Sequence, residues 1–257
     1  MSAHPVGMFD SGVGGISVLR ELHKALPGED LVYFADSAHC PYGARPPEEI
    51  VARATAITDF LLERGCKLVV VACNTATIAA VEHLRASYPV PFVGMEPAVK
   101  PACALTKSGV VGVLATGSAL AGEKFHKLVA AHAQDVRVIT QPCPGLVERV
   151  EEGDLGSART RQLVERYTRP LLAQNADVLV LGCTHYPFLR ALIAEVVGPQ
   201  VRLLDTGEAV ARQARRVLER ENLLNDAAGE RPGTVDWHTS GDAAQFRRLH
   251  QLLMMGV

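Results

Sequence analysis

The chain has 257 residues and a mass of 27.6 kDa, with 48% apolar, 21% charged and 5% aromatic residues. That composition is globular, suits one or two domains, and excludes a disordered or fibrous chain. A net charge of −2 gives no electrostatic footprint for nucleic acid or an anionic membrane.

The predicted elements alternate strand, turn and helix. Val6 to Phe9 forms a short apolar run that ends in the turn Asp10-Ser11-Gly12-Val13-Gly14-Gly15. After it, Ile16, Leu19, Leu22 and Leu26 recur at helical spacing. Leu31 to Ala35 is the next strand, and Asp36-Ser37-Ala38-His39-Cys40-Pro41-Tyr42-Gly43 is a Pro/Gly loop at its end. Pro46-Pro47 opens a helix whose apolar face is Ile50, Ala54, Ile57 and Leu61, and Gly65 closes it. Leu68-Val69-Val70-Val71 is apolar throughout, the pattern of a parallel strand buried on both faces. Further strands are expected at 91–94, 110–114, 136–140, 178–181 and 201–204, with helical segments between most of them. Residues 206–224 read as a helix, Asn225 to Gly233 as a polar loop, Val235 to Thr239 as a strand and 242–255 as a helix. Arg212, Arg215, Arg216 and Arg220 form a solvated face of the first of those helices. The alternation predicts an α/β fold with mainly parallel sheets. No apolar run approaches the ~18 residues of a membrane span. The start, Met1-Ser2-Ala3-His4-Pro5-Val6-Gly7, lacks a basic region followed by an apolar one, so no signal peptide and a cytoplasmic location are the expectations.

Six cysteines stand at 40, 66, 73, 103, 143 and 183, with no C-x-x-C spacing. A zinc ribbon or redox pair is thereby disfavoured, and each cysteine is a packed thiol or a reactive one. Cys66 and Cys103 sit among helix-like residues and read as core. Two others share one device. Val69-Val70-Val71-Ala72-Cys73-Asn74-Thr75 and Val178-Leu179-Val180-Leu181-Gly182-Cys183-Thr184 are each an apolar strand, then a cysteine, then a threonine opening a helix. They lie about one domain-length apart. Ligands in open α/β sheets bind at the carboxyl ends of strands, so two similar half-domains could face each other with one thiol from each side of a cleft.

The glycine-rich turn fails both standard phosphate tests: Ser17 occupies the third glycine position of G-x-G-x-x-G, and no Gly-Lys-Ser/Thr follows. It remains a tight turn at a helix N-terminus, suited to a carboxylate or phosphate. A helix N-terminus also lowers a thiol's pKa, and both Cys73 and Cys183 are expected to sit at one. His185, two residues after Cys183, can set that thiol's protonation state.

Four motifs in order, Asp10-Ser11-Gly12-Val13-Gly14-Gly15, Pro41-Tyr42-Gly43, Ala72-Cys73-Asn74-Thr75-Ala76-Thr77 and Leu181-Gly182-Cys183-Thr184-His185-Tyr186-Pro187, resemble those of the glutamate racemases. The resemblance runs from about residue 6 to Thr239-Ser240-Gly241-Asp242, and the Thr-His-Tyr-Pro ending separates it from aspartate and hydantoin racemases. Pro46-Pro47 departs from the family's frequent serine and affects only a helix cap. The resemblance implies cofactor-independent interconversion of L- and D-glutamate, supplying D-glutamate for peptidoglycan. It implies Cys73 and Cys183 as the two bases, assisted by Asp10 and His185. Substrate contacts carry over to Asp10, Ser11, Tyr42, Gly43, Asn74, Thr75, Thr184 and His185, and supporting roles to Asp36 and Glu152. It also implies two pseudo-two-fold-related α/β domains, residues 1–96 with 208–257 and residues 97–207, facing across a cleft. No metal, cofactor, nucleic acid or membrane is expected as a partner, and a homodimer is one candidate assembly.

Two thiols suit this chemistry. Inversion removes a proton on one face and delivers one on the other, and each group must act as base in one direction and acid in the reverse. An unperturbed cysteine, near pKa 8.5, is about 10% thiolate at pH 7.5. The carbanion has no pyridoxal sink, leaving helix N-termini and backbone N–H groups to stabilise it. The chain has six lysines, and none stands out as a Schiff-base lysine. Two rivals remain at this stage: a cysteine hydrolase with His185 as base, and a metal site from Cys73, Cys183 and His185.

Overall fold

The computed structural model describes residues 4–225 and 232–255, so most of the expected polar loop at 225–233 lies outside the described residues. The strands are β1 (Val6–Asp10), β2 (Leu31–Ala35), β3 (Leu68–Val71), β4 (Phe92–Val93), β5 (Val110–Ala115), β6 (Arg137–Pro142), β7 (Val178–Leu181), β8 (Arg202–Leu204) and β9 (Val235–Thr239). The helices of the first part are α1 (Ile16–Ala25), α2 (Pro47–Glu63), α3 (Asn74–Ser87) and α4 (Val99–Leu105). They are followed by α5 (Gly117–Ala121), α6 (Glu123–His132), α7 (Leu146–Glu151) and α8 (Ala158–Leu172). The last are α9 (Arg190–Val197), α10 (Gly207–Arg220) and α11 (Ala243–Met255).

Two sheets form, ordered β4-β3-β1-β2-β9 and β6-β5-β7-β8, and every pairing is parallel. The second repeats the topology of the first: β5, β6, β7 and β8 take the places of β1, β2, β3 and β4. The late strand β9 returns to the first sheet beside β2, with Leu31 opposite Val235. This is the α/β architecture that the apolar runs predicted.

Burial on both faces explains those runs. Along β1, Val6 and Met8 join a core with Leu19 and Leu22 of α1 and Ala214 of α10, while Phe9 packs with Ile57 of α2 and Ala80 of α3. In the second sheet Val111, Val113 and Val180 face the α4 side with Val99, whereas Leu114, Leu179 and Leu181 face Leu171 of α8 and Ile193 of α9. The core cluster containing Met8 also contains Leu181, so apolar packing runs continuously between the sheets.

Local departures from the sequence reading have local causes. The helix expected to reach residue 224 stops at Arg220, two residues before Asn222 at a φ of 55°. Cys66 lies in the bend after Gly65 and Cys103 on α4, with Cys66 buried and Cys103 only half-buried. Pro46 caps α2 without a side-chain hydrogen bond. Among the described residues no helix is long and apolar enough to cross a membrane.

Candidate active site

In each sheet the strand order reverses at the first strand, which lies beside the third. Crevices at the carboxyl ends of such strands are where α/β sheets bind ligands. Asp10 ends β1 and Cys73 follows β3; Thr116 follows β5 and Cys183 follows β7. One cavity joins the two switch points. Ser11, Tyr42, Gly43, Cys73, Asn74 and Thr75 line it from the first sheet, and Thr116, Val147, Gly182, Cys183, Thr184 and His185 from the second. Its volume is about 20 Å³, room for a single water.

Asp10 is fully buried and organises the glycine-rich turn. One carboxylate oxygen accepts Ser11 N–H at 2.7 Å; the other accepts Gly15 N–H at 2.6 Å and the Thr184 hydroxyl at 3.1 Å. Val13 N–H donates to Glu151 Oε1 at 2.7 Å. The sequence suggested a site for a bound anion, whereas these N–H groups hold the protein's own carboxylates. Burial raises the Asp10 carboxyl above its ordinary pKa, and His185 and the Ser11 N–H offset this only in part. The glycines are needed for close approach. A Cβ on Gly12 would stand 2.0 Å from Glu151 Oε1, and one on Gly14 would stand 2.3 Å from His185 Nδ1.

Cys73 adopts an extended backbone and caps α3, its sulfur accepting Ala76 N–H at 3.4 Å. Its thiol reaches Ser11 Oγ at 3.8 Å. Burial, then the nearby Asp10 charge, push this thiol's pKa up, against the Ala76 and Ser11 contacts. Asn74 Oδ1 is buried without a hydrogen-bond partner. Because Asn74 lines the cavity, a ligand donor there could satisfy it. Thr75 Oγ1 lies 3.1 Å from Thr116 Oγ1, joining the walls.

Cys183 is held differently. The sequence placed it at a helix N-terminus, but a turn and the 3-10 segment Tyr186–Leu189 follow it, and α9 starts only at Arg190. Pro187 lies in the first turn of that 3-10 segment. Cys183 Sγ lies 3.7 Å from His185 Nδ1, and the ring's Nε2 lies 2.7 Å from Glu151 Oε1. Burial alone would lower the His185 pKa, but the contacts with Cys183, Cys40 and Glu151 outweigh it and raise the ring's pKa well above the ordinary value. Burial likewise raises Glu151, yet His185 and the Val13 N–H bring its carboxyl below the usual range. The half-buried Cys40 completes the group: its sulfur, a Glu151 oxygen and a His185 nitrogen lie within 4.8 Å of one another. Burial pushes the Cys40 thiol up to about 12. Among the described residues these are the metal-capable donors gathered so closely, rather than Cys73, Cys183 and His185.

Asp36 is buried behind the site. It accepts the Tyr42 hydroxyl at 2.6 Å and both Arg53 donors, at 2.7 and 3.0 Å, with His39 Nδ1 at 3.0 Å. Burial opposes its ionisation, but Arg53 and Tyr42 prevail and its pKa is lowered. Asp36 thus fixes Tyr42, whose phenolic proton is committed to it. Glu152 does not join the site: its carboxylate is 54% exposed and meets Arg149 at 2.5 Å. The adjacent Glu151 joins it instead. That distinction was available from spacing, because Val147, Val150 and Glu151 share a helix face at i, i+3 and i+4. Thr116 was also missed, although it follows a strand end as Cys73 and Cys183 do.

The Asp/Glu/hydantoin racemase family model matches residues 7–214. The glutamate racemase of Herpetosiphon aurantiacus is 58% identical over 98% of this chain and 99% of its own. Glutamate racemase RacE1 of Bacillus anthracis superposes with a TM-score of 0.88 at 31% identity, covering 98% of this chain and 95% of that one. The Escherichia coli glutamate racemase, solved with L-glutamate and the activator UDP-MurNAc-ala, gives 0.86 at 34% identity, with coverages of 98% and 95%.

Proposed function

The chain belongs to the Asp/Glu/hydantoin racemase family, and from that premise we propose that it interconverts L- and D-glutamate by proton transfer between two thiols, without a cofactor. One observation carries the reading: Cys73 and Cys183 follow corresponding strands of a repeated topology and line one cavity from its two sides.

In this mechanism Cys183 removes the α-proton of L-glutamate and Cys73 delivers one to the opposite face; the reverse reaction exchanges the roles. The two cysteines and their assistants Asp10 and His185 are the catalytic residues. His185 exchanges a proton with Cys183 through Nδ1, and Glu151 holds the ring. Asp10 orders Ser11 and the turn beside Cys73. Substrate contacts are assigned to Ser11, Tyr42, Gly43, Asn74, Thr75 and Thr184 along with Asp10 and His185. The first turn of α3 brings the positive end of a helix dipole to the cavity wall, where it stabilises the substrate carboxylate and the carbanion. Asp36 supports the site through Tyr42. A cysteine hydrolase would leave the second thiol unused.

The proposed domains are residues 1–96 with 208–257 and residues 97–207, a division supported by the two sheets. The product D-glutamate is assigned to peptidoglycan synthesis in the cytoplasm, with neither nucleic acid nor membrane as partner and a homodimer as the assembly to test.

The test is D-glutamate in D2O, followed by polarimetry and mass spectrometry. Optical activity should vanish while the inverted product gains one deuterium at Cα, and dialysis, chelator or hydroxylamine should not abolish activity. Racemisation without solvent deuterium, or dependence on added pyridoxal phosphate, would falsify the two-thiol reading. D- and L-aspartate should be poor substrates.

A further inference from the structure

Cys40 has no part in the two-thiol reaction, yet its sulfur belongs to a three-donor group with Glu151 and His185. We propose that Cys40, Glu151 and His185 form an inhibitory site for a zinc-class divalent cation, entered from the side away from the reacting thiols.

The donor chemistry supports this assignment. A thiolate, a carboxylate oxygen and a neutral imidazole nitrogen suit Zn2+, with a fourth position left for water. Their mutual separation, within 4.8 Å, requires only short adjustments to surround an ion with bonds of about 2.0–2.3 Å. Glu151 Oε1 and His185 Nε2 already converge at 2.7 Å. A second cavity of about 390 Å³ reaches the group, and Cys40 and Glu151 form part of its wall. Glu148, Glu152 and Asp242 also line it, an acidic mouth that raises the local cation concentration.

The charges and protons balance. Cys40 and His185 Nε2 each release to solvent any proton they carry as the ion binds. His185 Nδ1 stays on the Cys183 side, 3.7 Å from that sulfur. The metal therefore leaves Cys183 in place but fixes the ring in one tautomer and occupies the Glu151 carboxylate that held it. Activity stops because the ring can no longer exchange its proton.

Full-length enzyme stripped with chelator and titrated with Co2+ tests binding directly. A stoichiometric sulfur-to-cobalt charge-transfer band should appear and should persist in Cys73→Ser and Cys183→Ser. Cys40→Ser and Cys40→Ala should lose the band while retaining enough racemase activity to measure inhibition. Zn2+ should inhibit the parent reversibly, and either Cys40 variant should weaken inhibition at least about tenfold. Absence of the band in the parent overturns the site. So does its survival in both Cys40 variants with loss in a Cys73 or Cys183 variant, which would place the metal on the reacting thiols. The cobalt band reads binding without turnover, so failure here is distinguishable from failure of the racemase reading.

Discussion

The two thiols occupy equivalent positions in a repeated topology, but their surroundings are built by different means. Cys73 caps a fourteen-residue helix and is accompanied by Ser11 and Asp10. Its support is largely main chain and fixed dipole. Cys183 precedes a 3-10 turn and faces an imidazole held by a half-buried carboxylate. Its support is a charge pair. The repeated topology brings both cysteines to one cavity, and under the proposed mechanism each side manages its proton by different means. The difference can be probed because side-chain charge can be deleted by mutation, whereas a helix N-terminus cannot.

The largest effect is expected from removing either thiol. Cys73→Ser and Cys183→Ser should each lower kcat/KM by about 10²–10⁴-fold. Enantiomers in water have equal free energies, so the loss must be equal in both directions, whichever side is damaged. The sides separate in exchange rather than in net rate. Cys73→Ser should retain exchange of the α-proton of L-glutamate with D2O without inversion, and Cys183→Ser should retain that of D-glutamate. The opposite pairing would reverse the assignment of the thiols.

Next come the groups beside the thiols. Asp10→Asn and His185→Asn should each reduce kcat/KM by on the order of 10²-fold, again equally in both directions. Asp10→Asn should raise the α-deuterium isotope effect from D-glutamate, and His185→Asn that from L-glutamate. If both raise the same direction's effect, the two residues do not serve opposite sides.

Gly14→Ala tests the seam between the halves, since its Cβ would lie 2.3 Å from His185 Nδ1. Overpacking of this kind costs about 1–3 kcal/mol. The variant should lose thermal stability and resemble His185→Asn in its isotope effect. An unchanged melting temperature and unchanged kinetics would show that the ring moves aside without consequence.

The smallest effects distinguish neighbouring glutamates. Glu151→Gln removes the charge facing His185, so the ring's pKa should fall and kcat/KM should drop by up to about tenfold. Glu152→Gln disturbs only an exposed pair with Arg149, worth at most about 1 kcal/mol of stability, and its kinetics should match the parent. Steady-state assays of the two variants side by side settle which carboxylate serves the site.

Much of this was legible in the residues. Val69 to Val71 and Val178 to Leu181 read as buried parallel strands because both faces of each sheet are covered, and the cysteine after each lay where such sheets bind ligands. What escaped depended on contacts between distant segments. The use of Val13 N–H by Glu151, 138 residues away, has no local signature, so the turn read as a site for an external anion. Cys183 read as a helix cap because its strand matched that of Cys73, although Pro187 supports a 3-10 segment there. Glu152 was carried over by family likeness alone, and Glu151, which shares a helix face with Val147 and Val150, was passed over.

The cavity of about 20 Å³ between the thiols bears on how such a catalyst returns to its starting state. Under the proposed mechanism a proton taken from D-glutamate stays on Cys73 while Cys183 gives up its own, so each turnover would leave the protein ready for the product just made. Two unliganded forms therefore alternate, one receptive to each enantiomer. With space for only about one water, the cavity has little means of carrying the proton back. At high substrate concentration, flux should become limited by this return rather than by chemistry at Cα, and solvent viscosity should slow it.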